Sequence, residues 1–156
     1  MTVYYDSCVF GNALNPAHPL SKHCGSAVTA SAIDWVVVVS REVSIGEMPS
    51  IENAIDAFFL DCALAGVTIV DVSLASAKST GKRHRNLKKP LSQLGLQGDD
   101  WNHLMSCVAG GAGDLWSTDE DFFDPANKAI RGAAKRGFRV SKFISSNLGV
   151  TVSYPP

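Results

Sequence analysis

Four carboxylates in four separate stretches carry the chemistry this chain could do. Asp6 ends the apolar run Val3-Tyr4-Tyr5-Asp6, and Glu47 closes Val43-Ser44-Ile45-Gly46-Glu47. Asp100 opens Asp100-Trp101-Asn102-His103-Leu104, and Asp119 lies within Trp116-Ser117-Thr118-Asp119-Glu120-Asp121-Phe122. Each acid stands where a strand should end or a helix should begin. In an open parallel sheet such places converge on a crevice outside the carboxyl ends of the strands. Carboxylates forced together repel, and their pKa values rise unless a cation offsets the charge. For an all-oxygen site that cation is Mg²⁺ or Mn²⁺. An acidic metal-binding crevice is therefore the expectation.

The elements that would position these acids alternate along the chain. Val3 to Tyr5 is short and β-prone and reads as a first, central strand. Val9 to Leu20 reads as a short helix and then a loop, and Ser26 to Ala32 is compatible with helix. The β-branched run Trp35 to Val39 suits a strand buried on both faces, and Glu47 is then expected in the first turns of the helix that follows. Ile51, Ala54, Ile55, Phe58, Phe59 and Cys62 recur at three and four residues, predicting an amphipathic helix over 51–65 that Gly66 ends. Val67 to Val72 is a third strand. The polar, basic, Pro- and Gly-containing stretch 76–98 reads as partly helical at best, a basic loop or insertion. Helix period resumes from Asp100 to Ala109, capped by Asp99 or Asp100 and ended by Gly110-Gly111. Asp114 to Ser117 is a short strand, Pro125 to Gly137 a further helix, and Val150 to Tyr154 a last strand.

Alternation of this kind predicts an α/β fold. The expected form is a three-layer α/β/α sandwich around a mostly parallel sheet of about five strands, in a single domain spanning the 156 residues. Apolar residues make up 46% and charged residues 19%, which excludes a disordered chain. The net charge of −1 is uninformative, but its distribution is segregated. Twelve of the fourteen basic residues fall in two segments, Lys78, Lys82, Arg83, Arg85, Lys88 and Lys89, then Lys128, Lys135, Arg131, Arg136, Arg139 and Lys142, on either side of an acidic stretch. Such flanks suit an anionic polymer, although each could equally be a solvated face. Cys8, Cys24, Cys62 and Cys107 show no metal-binding spacing and read as reduced thiols. With no signal peptide or membrane-length apolar run in view, a cytoplasmic protein without membrane contact is expected.

Taken together and in order, the motifs around Asp6, Glu47, Asp100 and Asp119 resemble those of PIN-domain ribonucleases, including the toxins of VapBC-type toxin–antitoxin pairs. The likeness rests on Tyr5-Asp6-Ser7-Cys8-Val9, Val43-Ser44-Ile45-Gly46-Glu47, Asp100-Trp101-Asn102-His103-Leu104 and Ser117-Thr118-Asp119-Glu120-Asp121-Phe122. It implies a metal-dependent endoribonuclease in which Asp6, Glu47, Asp100 and Asp119 hold one or two Mg²⁺ or Mn²⁺ ions. Asp121 is an additional ligand in that scheme, and Ser117 orients a water or a neighbouring carboxylate. Lys82, Arg83, Arg85 and Lys88 would meet the RNA. The resemblance also implies a cognate antitoxin and a homodimer. Cys8 departs from it, standing where many members carry Ser, Thr or Asn.

Alternatives remain at this stage. Asp99 competes with Asp100, which is preferred because it puts His103 and Leu104 in family register. Glu42 competes with Glu47 as the acid after the second strand. Asp71 reads as a strand-end, hydrogen-bonded acid, His103 as a packed, hydrogen-bonded histidine, and Trp101, Trp116, Phe122 and Phe123 as core. A structure-specific DNA nuclease, or a PIN-like module that binds RNA or protein without cutting, are the competing functions.

Overall fold

A computed structural model of the chain describes residues 1–29, 35–123 and 131–155. Five strands form one sheet: β1 (Thr2–Tyr5), β2 (Val36–Val39), β3 (Thr68–Asp71), β4 (Asp114–Trp116) and β5 (Thr151–Ser153). Their order is β3-β2-β1-β4-β5, and every neighbouring pair is parallel. The expected parallel sheet is thus observed, with β1 at its centre. Parallel neighbours need crossovers, and helices supply them: α1 (Ser7–Leu14), α2 (Ser21–Thr29), α3 (Arg41–Glu47), α4 (Glu52–Ala65), α5 (Leu74–Arg83), α6 (Arg85–Leu94), α7 (Asp99–Ala109) and α8 (Arg131–Leu148).

Side chains alternate across a strand, so each strand feeds two cores. Val3, Tyr5, Val37 and Val39 face one layer, packed with Val9, Phe10, Ile55 and Phe58. Tyr4, Val38 and Leu115 face the other, packed with Leu91, Leu104, Met105, Val140 and Ile144. The result is the three-layer α/β/α sandwich that the alternation predicts. Among the described residues no helix is long and apolar enough to cross a membrane.

Local signals account for most boundaries. Gly66 takes φ 72°, the left-handed conformation that ends α4, and its amide donates to Ala63 O and Cys62 O. Ser40 caps α3 and Ser73 caps α5 through their side-chain oxygens. Two expectations need correction. The basic stretch expected as a loop or insertion is two helices, α5 and α6, despite Pro90 inside α6. Proline removes an intrahelical hydrogen bond, but burial of Leu87 and Leu91 on one face holds the helix together. Glu47 closes the two-turn helix α3, in the helix after the second strand where it was expected. The final helix does not stop at Gly137 but continues to Leu148. The start expected for it at Pro125, and the end of the helical stretch expected at Ala32, lie outside the described residues.

Candidate metal centre

Strand order reverses between β1 and β4, and the acids gather there. Tyr5 pairs with Trp116, so the next residues, Asp6 and Ser117, emerge side by side from the carboxyl edge. Asp6 occupies the N-cap position of α1, yet its carboxylate makes no capping bond. It is buried at 2% exposure and turns into the crevice, where Ser117 Oγ donates to its Oδ2 at 2.6 Å. The same hydroxyl accepts the Asp119 amide at 3.0 Å. Ser117 therefore orients a neighbouring carboxylate, one of the two roles the resemblance implies for it.

Two adjoining groups result. In the first, ligand atoms of Asp6, Glu47 and His103 lie within 4.8 Å of one another, and in the second those of Asp100, Asp119 and Asp121 do. All four sequence-identified acids, and Asp121, thus fall in the two groups. The one-residue ambiguity resolves toward Asp100, which is buried at 6% exposure while Asp99 faces solvent. Neither caps α7, whose N-cap position is Gly98. Glu42 is exposed and accepts the Leu74 amide at the start of α5, leaving Glu47 as the acid of the crevice. Asp71 accepts the Arg41 amide at 3.0 Å, the hydrogen-bonded strand-end role expected of it.

His103 is fully buried and hydrogen-bonded, as the sequence suggests, but its partners place it in the site. Its Nε2 lies 2.7 Å from Glu47 Oε2 and 3.3 Å from Asp6 Oδ1, while Nδ1 lies 2.7 Å from Tyr4 Oη. Ionised carboxylates only accept, so Nε2 carries a proton and bridges the two acids. One available signal was its spacing: His103 follows Asp100 by three residues and shares its helix face. Ser7 is a second addition, donating to both Asp6 Oδ1 and Glu47 Oε2. Cys8 keeps polar contacts despite its departure from the family pattern. Its Sγ lies 3.4 Å from Asp6 Oδ2 and from Ser117 Oγ, and it accepts the Thr118 amide at 3.2 Å.

The electrostatics differ between the groups. Burial would push Glu47 up, but hydrogen bonds from His103 and Ser7 outweigh it and its pKa is lowered. Burial likewise disfavours the His103 imidazolium, yet Asp6 and Glu47 outweigh it and the pKa is raised. The second group contains no histidine, and its ion pair among the described residues is at the rim. Burial, then the charges of Asp119, Asp6, Asp121 and Glu47, push Asp100 up to about 8. Asp119 rises for the same reason, burial first and Asp6 and Asp121 next. At the rim Asp121 Oδ1 accepts from Arg136 Nη2 at 2.8 Å. A hard divalent cation fits this donor set: anionic oxygens already clustered, with a carboxyl that like charges hold partly protonated.

The basic residues of α5 and α6 make contacts of their own. Lys88 Nζ sits 5.9 Å over the ring of Trp101, next to Asp100. Arg83 folds back on Thr80 Oγ1 at 3.0 Å and lines a shallow cavity of ≈210 Å³ with Ser76, Ser79 and Ala109. Lys82 and Arg85 are exposed. Among the described residues no ion pair or hydrogen bond joins these four to the acids. Trp101, Trp116 and Phe122 are core residues, as expected, and Phe123 is partly buried. No protein-family model, curated protein or solved structure matches the chain.

Proposed function

We propose that the protein is a metal-dependent phosphodiesterase that cleaves RNA, a PIN-like endoribonuclease. The observation that carries this reading is the convergence of Asp6, Glu47, Asp100 and Asp119, from four separate places in the chain, at the reversal point of a parallel sheet. Asp6, Glu47, Asp100 and Asp119, joined by Asp121, would hold Mg²⁺ or Mn²⁺. When bound, such an ion lowers the pKa of a water and offsets charge on a phosphate. The chain's own groups prepare that chemistry. Ser117 Oγ pins one oxygen of Asp6, and the protonated Nε2 of His103 holds Asp6 and Glu47 side by side. Arg136 ties the rim acid Asp121 to α8. Burial of Asp6 and His103 strengthens the first two of these interactions.

The partner on this reading is RNA, in a cytoplasmic setting. An antitoxin that covers the acids and a homodimer follow from the family likeness. The exposed Leu60 and Leu64, one turn apart on α4, give a second copy an apolar surface to cover. The test is cleavage of a mixed RNA in Mn²⁺, in Mg²⁺ and in EDTA, comparing wild type with Asp6→Asn. Metal-dependent cutting by the wild type, reduced about 100-fold or more in the variant, is expected. Folded wild type that cuts no RNA in either metal would remove the enzyme reading and leave a binding module.

A further inference from the structure

A second feature opens on the same edge of the sheet, beside the acids but not among them. Phe123, Phe138, Ser141, Val152, Ser153 and Tyr154 line a cavity of ≈360 Å³. Two hydrogen bonds tie its wall to the acidic crevice. The Phe123 amide donates to Asp119 O at 3.3 Å, and the Ser117 amide donates to Ser153 O at 3.1 Å. The wall is itself braced. The rings of Phe123 and Tyr154 lie 4.5 Å apart between centroids, and Ser141 Oγ holds Phe122 O at 2.9 Å. Phe138 is different: it remains 67% exposed at the mouth. A single exposed apolar residue needs no explanation. An exposed phenyl ring at the mouth of an aromatic cavity, whose wall is hydrogen-bonded to the backbone of Asp119 and Ser117, has a use.

The surroundings indicate which ligand. Lys135 precedes Phe138 by three residues and Lys142 follows it by four, so all three share one face of α8. Arg139 is adjacent, and all three cations face solvent. Aromatic faces among cations are the chemistry of single-stranded nucleic acid: bases stack on rings while Lys and Arg meet phosphates. We propose that this cavity takes an unpaired base of the RNA, stacked on Phe138, with Lys135, Arg139 and Lys142 on the flanking phosphates. The site would set a nucleotide beside the acids and restrict the substrate to unpaired RNA; its ligand class rests on the nuclease reading above.

The test is fluorescence anisotropy with a short labelled single-stranded RNA, in EDTA and in Ca²⁺, as a function of salt. Phe138→Ala should weaken binding about five- to fifty-fold without changing the salt slope, because it removes stacking and no charge. Phe138→Trp should restore it. The double variant Lys135→Ala/Lys142→Ala should instead flatten the slope by about 1.4, at about 0.7 per phosphate contact. A Phe138→Ala protein that binds like wild type would overturn the proposal, as would equal affinity for a fully paired duplex or no wild-type binding in either buffer. So would a wild type that sediments as a dimer and a Phe138→Ala variant that sediments as a monomer, which would make the face an interface between copies. No cutting is needed for this readout. Binding that depends on Phe138 with no cleavage in Mn²⁺ would sink the nuclease alone, and Asp6-dependent cleavage with Phe138-independent binding would sink the base site alone.

Discussion

Replacing Asp100 by Asn should stabilise the metal-free protein at pH 8, and added metal should shrink or cancel that advantage. Asp100 is almost fully buried and faces Asp119, Asp6, Asp121 and Glu47, and among the described residues no cation pairs with it directly. Its folded pKa, raised from 3.8 to about 8, lies above that of the unfolded chain. Between those values the folded protein binds a proton that the unfolded chain has released, so stability falls as pH rises through the interval. The full displacement corresponds to about 5 kcal/mol at pH 8. Asn is nearly isosteric and cannot ionise, so it removes that cost. Allowing for local relaxation, a gain of about 2–3 kcal/mol is expected, or roughly 5–10 °C in Tm for a chain of this size. The assay is thermal unfolding in EDTA at pH 5 and pH 8. At pH 5, only a little above the unfolded value, the difference should shrink to about a third of that at pH 8. With Mn²⁺ at about 100 times its Kd, wild type should gain about 2.7 kcal/mol, and the variant should gain less. Equal melting at pH 8 in EDTA, or the same difference at both pH values, would refute the charge-repulsion argument and leave a packing effect.

Other outcomes follow from the same geometry. His103→Gln should cost most stability between the lowered pKa of Glu47 and the raised pKa of His103. The His103 contribution is complete below its unfolded pKa and lost as pH rises through the folded one, and the Glu47 contribution is lost as pH falls through its own, so urea titrations at pH 6 and pH 9 should show the larger loss at pH 6. Ser117→Ala leaves a buried Asp6 oxygen and the Asp119 amide short of their hydroxyl partner and should cost about 1–3 kcal/mol in urea unfolding, with metal affinity lowered alongside. Gly137→Ala should cost about 1–3 kcal/mol, because a Cβ there meets the Phe123 backbone and comes within 2.8 Å of Phe122 O, neither of which can rotate away. Because that backbone follows Asp119 and Asp121, Mn²⁺ binding by calorimetry should weaken in the same variant.

What the sequence determines by itself is local. Runs such as Val36–Val39 and the spacing of Ile55, Phe58 and Cys62 define strand and helix, and their alternation dictates a parallel sheet covered on both faces. The acids could be read because each interrupts or follows such a run, where packing has no use for a charge. The helices α5 and α6 escaped this reading because Pro90 and a dense basic composition are local signals against helix, while burial of Leu87 and Leu91 depends on the facing layer. Only the tertiary structure decides how the acids meet. The pairing of Tyr5 with Trp116 sets Ser117 beside Asp6, a contact between residues 111 apart that no window of sequence contains. It likewise selects Glu47 over Glu42 and brings His103 between two carboxylates. Periodicity is a property of neighbouring residues, whereas a shared proton or cation depends on the summed field of groups that the sheet order alone brings within a few ångströms.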